Sequence, residues 1–380
     1  VPERLRISSS QGAGQDVAVV GGGLVGLAIA YGIRRLGCSV TVFDGDDAGW
    51  RASRGNFALV WGQAKGVGSR PYARWTQGSL SLWKAFAEEL SAISGLELHY
   101  RLGGYHLCFN TKEFEARGAI LTRHAEELGA DAYPFEMVRA EEMRRIFPAL
   151  GPTMAGASFS PRDGDVNSLN LYSALIRAFC KLGGTYVPNA PVASIKRDGA
   201  GFSVLARTGR TFAQRVVIAA GLETGRIGSF VGLDIPVRPQ TGQIIVTEKA
   251  APFLPYPIST IRQTNEGGVM LGDSVEEKGF DDATTPGIIS FTAARAVAAF
   301  PIIARLNVVR SWAALRVMTP DGLPIYQQSS SYPGAFACVC HSGVTLAASH
   351  ARILAPQIVD SSVAGLAKSF DMARLDVRAA

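Results

Sequence analysis

From residue 16 the chain reads DVAVVGGGLVGLAIAYGIRRLGCSVTVFD, and its apolar positions change period twice within that stretch. Val17 to Val20 is a continuous apolar run, which predicts a short strand buried on both faces. Three glycines follow. Leu24 to Leu36 then predicts a helix: Ala, Leu and Ile fill it, Arg34 and Arg35 occupy the last turn, where the macrodipole favours cations, and Gly37 supplies the stop. A second strand is expected over Ser39 to Phe43, ending on Asp44. The 17 residues from Val17 to Ile33 carry no charge, close to the ~18 to 20 apolar residues that cross a bilayer. Three successive glycines and the short length argue against a transmembrane segment.

Further along, Leu80, Leu82, Trp83, Phe86 and Leu90 recur at helical spacing and predict an amphipathic helix over Arg74 to Leu90. Leu96 to Phe109 alternates into strands around Gly103-Gly104, and Thr111 to Leu128 reads as a charged helix stopped by Gly129. DGDVNSLNLYSALIRAFCKL, from Asp163, predicts a turn, a cap at Asn167 or Ser168, and a helix ending before Gly183-Gly184. Thr185 to Val187 is the next strand, Pro191 to Phe212 a meander around Asp198-Gly199, and Arg215 to Ala220 a buried strand running into Gly221. From Ile235 the chain is rich in β-hairpin patterns, with a turn at Gly267-Gly268, and then a helix over Pro286 to Phe300. Ala335 to Cys340 is a last strand, followed by a helix beginning near Val344. These elements divide most economically into a discontinuous nucleotide-binding lobe, 15–90, 151–234 and 308–380, interrupted by a second, substrate lobe, 91–150 and 235–307, built on a mainly antiparallel sheet.

Composition narrows this only a little. At 380 residues the chain holds two lobes comfortably, at roughly 100 to 200 residues per domain. With 47% hydrophobic and 18% charged residues it is globular. The net charge of +6 contains no block of five like charges, which argues against nucleic acid and fits an anionic substrate or an acidic partner subunit. Five cysteines and the lack of a secretory pattern predict reduced thiols and a cytoplasmic setting. No Cys or His spacing matches a metal site. The first ~15 residues, rich in Ser, Gly and Gln, are expected to form a mobile arm.

Chemistry enters at the glycines. Gly21 permits a tight turn, Gly23 lets the backbone approach a pyrophosphate, and Gly26 lets the helix pack close to the strand. Helix N–H groups then point at the phosphates. Asp44, 18 residues after Gly26, stands where a carboxylate accepts the ribose hydroxyls of an adenosine. A dinucleotide is the expected ligand, NAD or FAD on this stretch alone. Between Gly45 and Gly66, a loop and short helix, Arg51, Ser53, Arg54 and Asn56 suit a segment that passes the pyrophosphate toward the far end of a long cofactor. Gly221 allows close backbone approach, and His341-Ser342-Gly343 opens a second helix N-terminus, where negative charge is favoured.

The GGGLVG fingerprint with Asp44, SRGN at 53–56, VVIAAG at 216–221, LRVMTPDGLP at 315–324 and HSGVTLA at 341–347 together resemble the FAD-dependent D-amino-acid oxidase superfamily, on its glycine oxidase and D-amino-acid dehydrogenase side. Within it, SRGNFALVWGQAKG and DGDVNSLNL are most similar to the flavin subunit of opine (octopine or nopaline) oxidases, and to subunits of hydrogen cyanide synthase and hydroxyproline dehydrogenase. The resemblance implies an α/β fold class, a Rossmann-like FAD-binding domain with an inserted α+β substrate domain, and non-covalent FAD. Gly21, Gly23, Gly26 and Asp44 would hold the ADP half. Arg51, Ser53, Arg54 and Asn56 would follow the pyrophosphate and flavin edge, with a Val192 backbone contact on the adenine side. Gly343, Val344 and Thr345 would set N–H groups at the flavin N1/C2=O, beside His341.

Arg316 matches the position at which such enzymes hold the substrate carboxylate, a task that suits a planar, permanently charged fork. HSGVT lacks the second arginine of glycine oxidases, so Arg262 or Lys65 is a candidate for a second carboxylate contact. The implied reaction is oxidation of a secondary amine or amino acid to an imine, which water cleaves. For an opine this yields an amino acid and an α-keto acid. The implied assembly is a multi-subunit dehydrogenase; the chain lacks an iron–sulfur cysteine pattern, so an FMN or iron–sulfur centre would belong to a partner. A self-sufficient oxidase of glycine or D-amino acids is the alternative. Cys338 and Cys340, on one face of a strand, are expected in the core.

Overall fold

The structure, a computed structural model, describes residues 14–45, 51–272, 274–361 and 368–376; residues 1–13 of the expected amino-terminal arm lie outside them. The opening elements form as the pattern requires: β1 (Gln15–Val20), α1 (Leu24–Arg35) and β2 (Val40–Phe43). β1 is central to a largely parallel sheet, paired on one side with Gly209–Ile218 and on the other with β2. Ala335–Val339 extends the first side and Thr185–Val187 the second, both parallel, while Ile325–Gln328 closes the edge antiparallel. Strand order therefore reverses at β1. The crevice at the carboxyl ends of β1 and its neighbours is where open α/β sheets take their ligands.

The parallel strands are apolar along their length because both faces are covered. α1, Ser168–Lys181 and the segment 347–359 pack on one face. The antiparallel meander Val192–Asp198, Gly201–Ala206 and the start of Gly209–Ile218 supplies the other apolar cluster. Two starts and stops follow chain chemistry closely. Asn167 caps Ser168–Lys181 by accepting from the Asn170 N–H. The amphipathic helix α2 runs longer than its apolar spacing marks, Arg70–Ser94, from a proline in its first turn to a left-handed Gly95.

Some expectations change. Among the described residues 51–66 there is no helix, only turns and the two-residue strand Leu59–Val60. After His341 the chain forms a turn first, and the helix starts at Ala347, passing through a π-helical stretch, His350–Leu354, just before Pro356. Proline lacks the N–H that a regular ladder needs there.

The second lobe holds two four-stranded antiparallel sheets. One runs Ile261–Gln263, Gly268–Leu271, Arg238–Lys249, Val308–Met318. In the other, Gly156–Asp165 pairs with Leu59–Val60, Arg101–Cys108 and Glu136–Arg139. Thus Val308–Met318 and Gly156–Asp165, which the sequence division grouped with the nucleotide-binding segments, hydrogen-bond along their lengths to strands of the inserted segments. Alternation marks a strand but not its partner, and both partners are distant in sequence.

The two sheets are tied by charge at Asp165. Its carboxylate accepts from Arg101 in bidentate fashion, at 2.9 and 2.7 Å, and from Arg262 of the other sheet at 3.2 Å. Asp165 and Arg262 are both buried. Removing one partner of such a pair leaves an uncompensated internal charge. Asp165→Ala should therefore cost about 3 to 5 kcal/mol, read as a lowered midpoint in urea unfolding.

Candidate functional site

The close approaches at the start of α1 are real. Gly21 has φ +111°, and a Cβ there would sit 2.3 Å from the Ala219 carbonyl oxygen. A Cβ on Gly26 would lie 2.0 Å from the Gly21 oxygen, so only glycine lets α1 seat on the end of β1. Ser53 accepts the Leu24 N–H at 2.9 Å and so steers the following segment across the helix N-terminus. Asp44 is pinned at the end of β2: its N–H donates to Val187, and its carbonyl accepts from Ala190. The Tyr186 hydroxyl donates to Asp44 Oδ2 at 2.9 Å, which orients the carboxylate. Beside it, the Arg54 guanidinium lies 5.0 Å over the Tyr172 ring.

These groups wall a cavity of about 670 Å³. It runs from Asp44, Tyr172 and Val192 past residues 21–25 to Cys340, His341, Gly343 and Val344. Arg51, Ser53, Arg54, Asn56 and Gly221 also line it. Two of the residues expected on the cofactor do not. Gly26 acts behind the wall through packing, and the Thr345 hydroxyl is occupied by the Trp61 N–H at 3.1 Å. An elongated cavity with a carboxylate at one end, a helix N-terminus along its side and a second turn of backbone N–H groups at the other end fits FAD, whose length and charges match in that order.

His341 faces the far end of the cavity. His341 is exposed to the open cavity, yet the protein packed around its ring disfavours the charged form and Lys65 and Arg316 add positive potential, so its imidazole is pushed down to about 3 and is neutral at pH 7. Both cations stand beyond the end of the cavity rather than in its wall. Lys65 Nζ donates to Ser342 Oγ at 2.8 Å, and that hydroxyl also meets the Tyr72 hydroxyl at 2.9 Å. Arg316 lies on the strand face shared with Trp312, whose indole donates to the Gly55 carbonyl, and it donates to Ser274 O at 2.8 Å and Thr241 O at 3.2 Å. Arg262 is elsewhere. It lines no part of the cavity, and its guanidinium is committed to Asp165 and to Val166 O at 2.7 Å. Cys338 and Cys340 are buried at the cavity wall, and burial pushes the Cys340 thiol up to about 12.

Sequence reasoning missed the side chains that hold this end. The loop 61–65 has its backbone fixed from outside: Gly62 N–H donates to Asp163 Oδ1 at 2.5 Å, Ala64 N–H to Tyr133 Oη at 2.6 Å, and His124 Nε2 contacts the Lys65 carbonyl at 3.1 Å. Asp163 is fully buried, and burial lifts its carboxyl to about 7 against the pull of the Gly62 and Gln63 donors and of Arg117. DGD at 163–165 reads as a turn in the sequence, but it forms the end of the strand Gly156–Asp165, paired with Leu59–Val60 and with Arg101 and Leu102, partners that no local pattern marks. Tyr186, one strand over from Asp44, carried no signal.

Comparison with known proteins agrees with this geometry. The family model described as FAD dependent oxidoreductase matches residues 16–357. The chain is 41% identical over 366 residues to the B subunit of opine oxidase from Rhizobium meliloti, covering 96% of this chain and 99% of that one. It is 42% identical over 345 residues to the B subunit of opine oxidase from Agrobacterium tumefaciens (strain Ach5), covering 90% and 93%. Its fold superposes on glycine oxidase from Bacillus cereus with a TM-score of 0.84 at 21% identity, over 93% of this chain and 98% of that one. Among the described residues no helix is long and apolar enough to cross a membrane.

Two outcomes follow from the site's electrostatics. Tyr186→Phe should weaken FAD binding about tenfold, in line with the loss of one hydrogen bond to a charged group, and Asp44→Ala should weaken it further, in fluorescence titrations of the apoprotein. Asp163 titrates higher in the folded chain than unfolded, so the fold binds its proton more tightly. Its contribution is therefore favourable at low pH and is lost as pH rises from about 4 toward about 7. Asp163→Asn should flatten the fall in unfolding free energy across that window.

Proposed function

The chain belongs to the family of FAD-dependent oxidoreductases, and from that premise we propose that it oxidises the C–N bond of an opine, as the flavin subunit of a larger dehydrogenase. Its cofactor is FAD, and it acts on amines or amino acids. The observation that carries the opine reading is the 41% identity to an opine oxidase component along 96% of the chain. The subunit role is supported by the same relatives, which are described as subunits.

Bound FAD supplies the acceptor for two electrons and a proton leaving the substrate carbon as hydride. The chain's residues arrange the donor. Arg316 binds the carboxylate on the carbon that is oxidised and sets that carbon's C–H toward the cavity. The substrate reacts as its free amine, with the nitrogen lone pair available. With its imidazolium so acidic, His341 is too weak a base to take a proton at pH 7; it serves as a neutral wall that orients the amine. As hydride leaves, the nitrogen lone pair forms the C=N bond. Water then adds to the resulting iminium, and the C–N bond breaks to release an α-keto acid and an amino acid, with one proton passing to solvent. The electrons then pass to a partner subunit, where any FMN or iron–sulfur centre would reside.

Anaerobic addition of octopine or nopaline should bleach the flavin absorbance of the purified holoprotein, and in air the isolated chain should form little peroxide. Bleaching by glycine alone, with rapid peroxide formation, would replace this reading with a self-sufficient oxidase. Arg316→Ala should raise the opine KM by about 100-fold or more, the scale of a bidentate charged contact, with FAD retained. Loss of FAD in that variant would misplace Arg316.

A further inference from the structure

We infer that Lys65 binds the second carboxylate of the substrate, the one on the amino-acid side of the nitrogen, and thereby selects dicarboxylate secondary amines over monocarboxylate ones. This rests on the amine-oxidation reading above and deepens it.

Lys65 is a half-buried cation whose ammonium donates to one neutral group, Ser342 Oγ at 2.8 Å. Among the described residues no carboxylate comes within ion-pair distance of it. Several other buried or half-buried cations are paired with a carboxylate, Arg262 with Asp165, Arg374 with Asp321 and Arg352 with Glu89. A partly desolvated ammonium that keeps only a hydroxyl partner is poised for an anion. Its position is not incidental, because the loop that carries it is held by four side chains from other elements, Thr345, Asp163, Tyr133 and His124. Such fixing is the cost-lowering arrangement expected of a binding group.

Its place also matches the substrate. Ser342, the hydroxyl it grips, lies between His341 and Gly343, both of which line the cavity end. Lys65 and Arg316 both act on the His341 ring. An opine carries its two carboxylates on the two carbons bonded to one nitrogen. With one carboxylate on Arg316 and the other on Lys65, the nitrogen between them would lie on the side of His341, the group that both cations influence. Arg262, the other cation considered for this role, is already neutralised by Asp165.

The test uses the holoprotein and two probes with the same reacting carbon: octopine, and N-(1-carboxyethyl)agmatine, which lacks only the arginine carboxylate. Rapid anaerobic mixing gives the half-saturating concentration and the limiting rate of flavin bleaching for each. Lys65→Met should raise the half-saturating concentration of octopine about 10- to 100-fold, the scale of one charged hydrogen bond. The agmatine analogue should stay within about twofold of wild type, and Lys65→Arg should restore most of the octopine loss. An equal loss with both probes would assign Lys65 to the flavin or to the loop and overturn the inference, as would no loss with either. A wild-type protein bleached by neither probe would overturn the opine reading on which the inference rests.

Discussion

Everything at the nucleotide end depends on one contact that no side chain permits: the backbone of Gly26 on α1 lying against the backbone of Gly21 at the tip of β1. The resulting approach brings the positive end of α1 to the carboxyl edge of the sheet, at the point where strand order reverses. Once α1 is seated, the rest of that half follows. Ser53 caps it, the segment after β2 must cross it, and the cavity is the space left between. The constraint is steric, and it has an electrostatic consequence.

At the other end the binding surface is made by side chains holding backbone. The strand Gly156–Asp165 and the residues just after it act in three directions within five positions. Asp163 grips the loop that presents Lys65, Asp165 joins the two antiparallel sheets through Arg101 and Arg262, and Asn167 caps the helix that packs beneath the nucleotide-binding sheet. A strand that belongs by pairing to the second lobe thus ends against the first. The arrangement explains why two acids sit so close together without either being in the cavity.

The fold was legible wherever local pattern and local chemistry coincide. β1, α1, β2 and the capped helix Ser168–Lys181 carry their starts, stops and periods in the residues themselves. Pairing was not legible: nothing in Val308–Met318 announces that its neighbour is Arg238–Lys249, because antiparallel partners share a period, not a signature. The site divides the same way. Gly21, Asp44, Arg51, Ser53, Arg54 and Asn56 were readable as candidates because a cofactor imposes residue types at fixed spacing, and all of them line the cavity. Arg262 was misjudged as available because a lone arginine in sequence shows its charge and hides its counter-charge. Tyr186, Tyr133 and His124 were invisible since each acts through a single hydrogen bond to a residue far along the chain.

The same distinction bears on what the net charge of +6 means. Most of the arginines and lysines are exposed or paired, so the total says little about the substrate. What matters is local imbalance. At the end of the cavity, the packing around His341, with Lys65 and Arg316 beside it, keeps that imidazole neutral rather than adding a third cation. The imbalance at that end is therefore two cations beside an uncharged ring, a field that favours an anion.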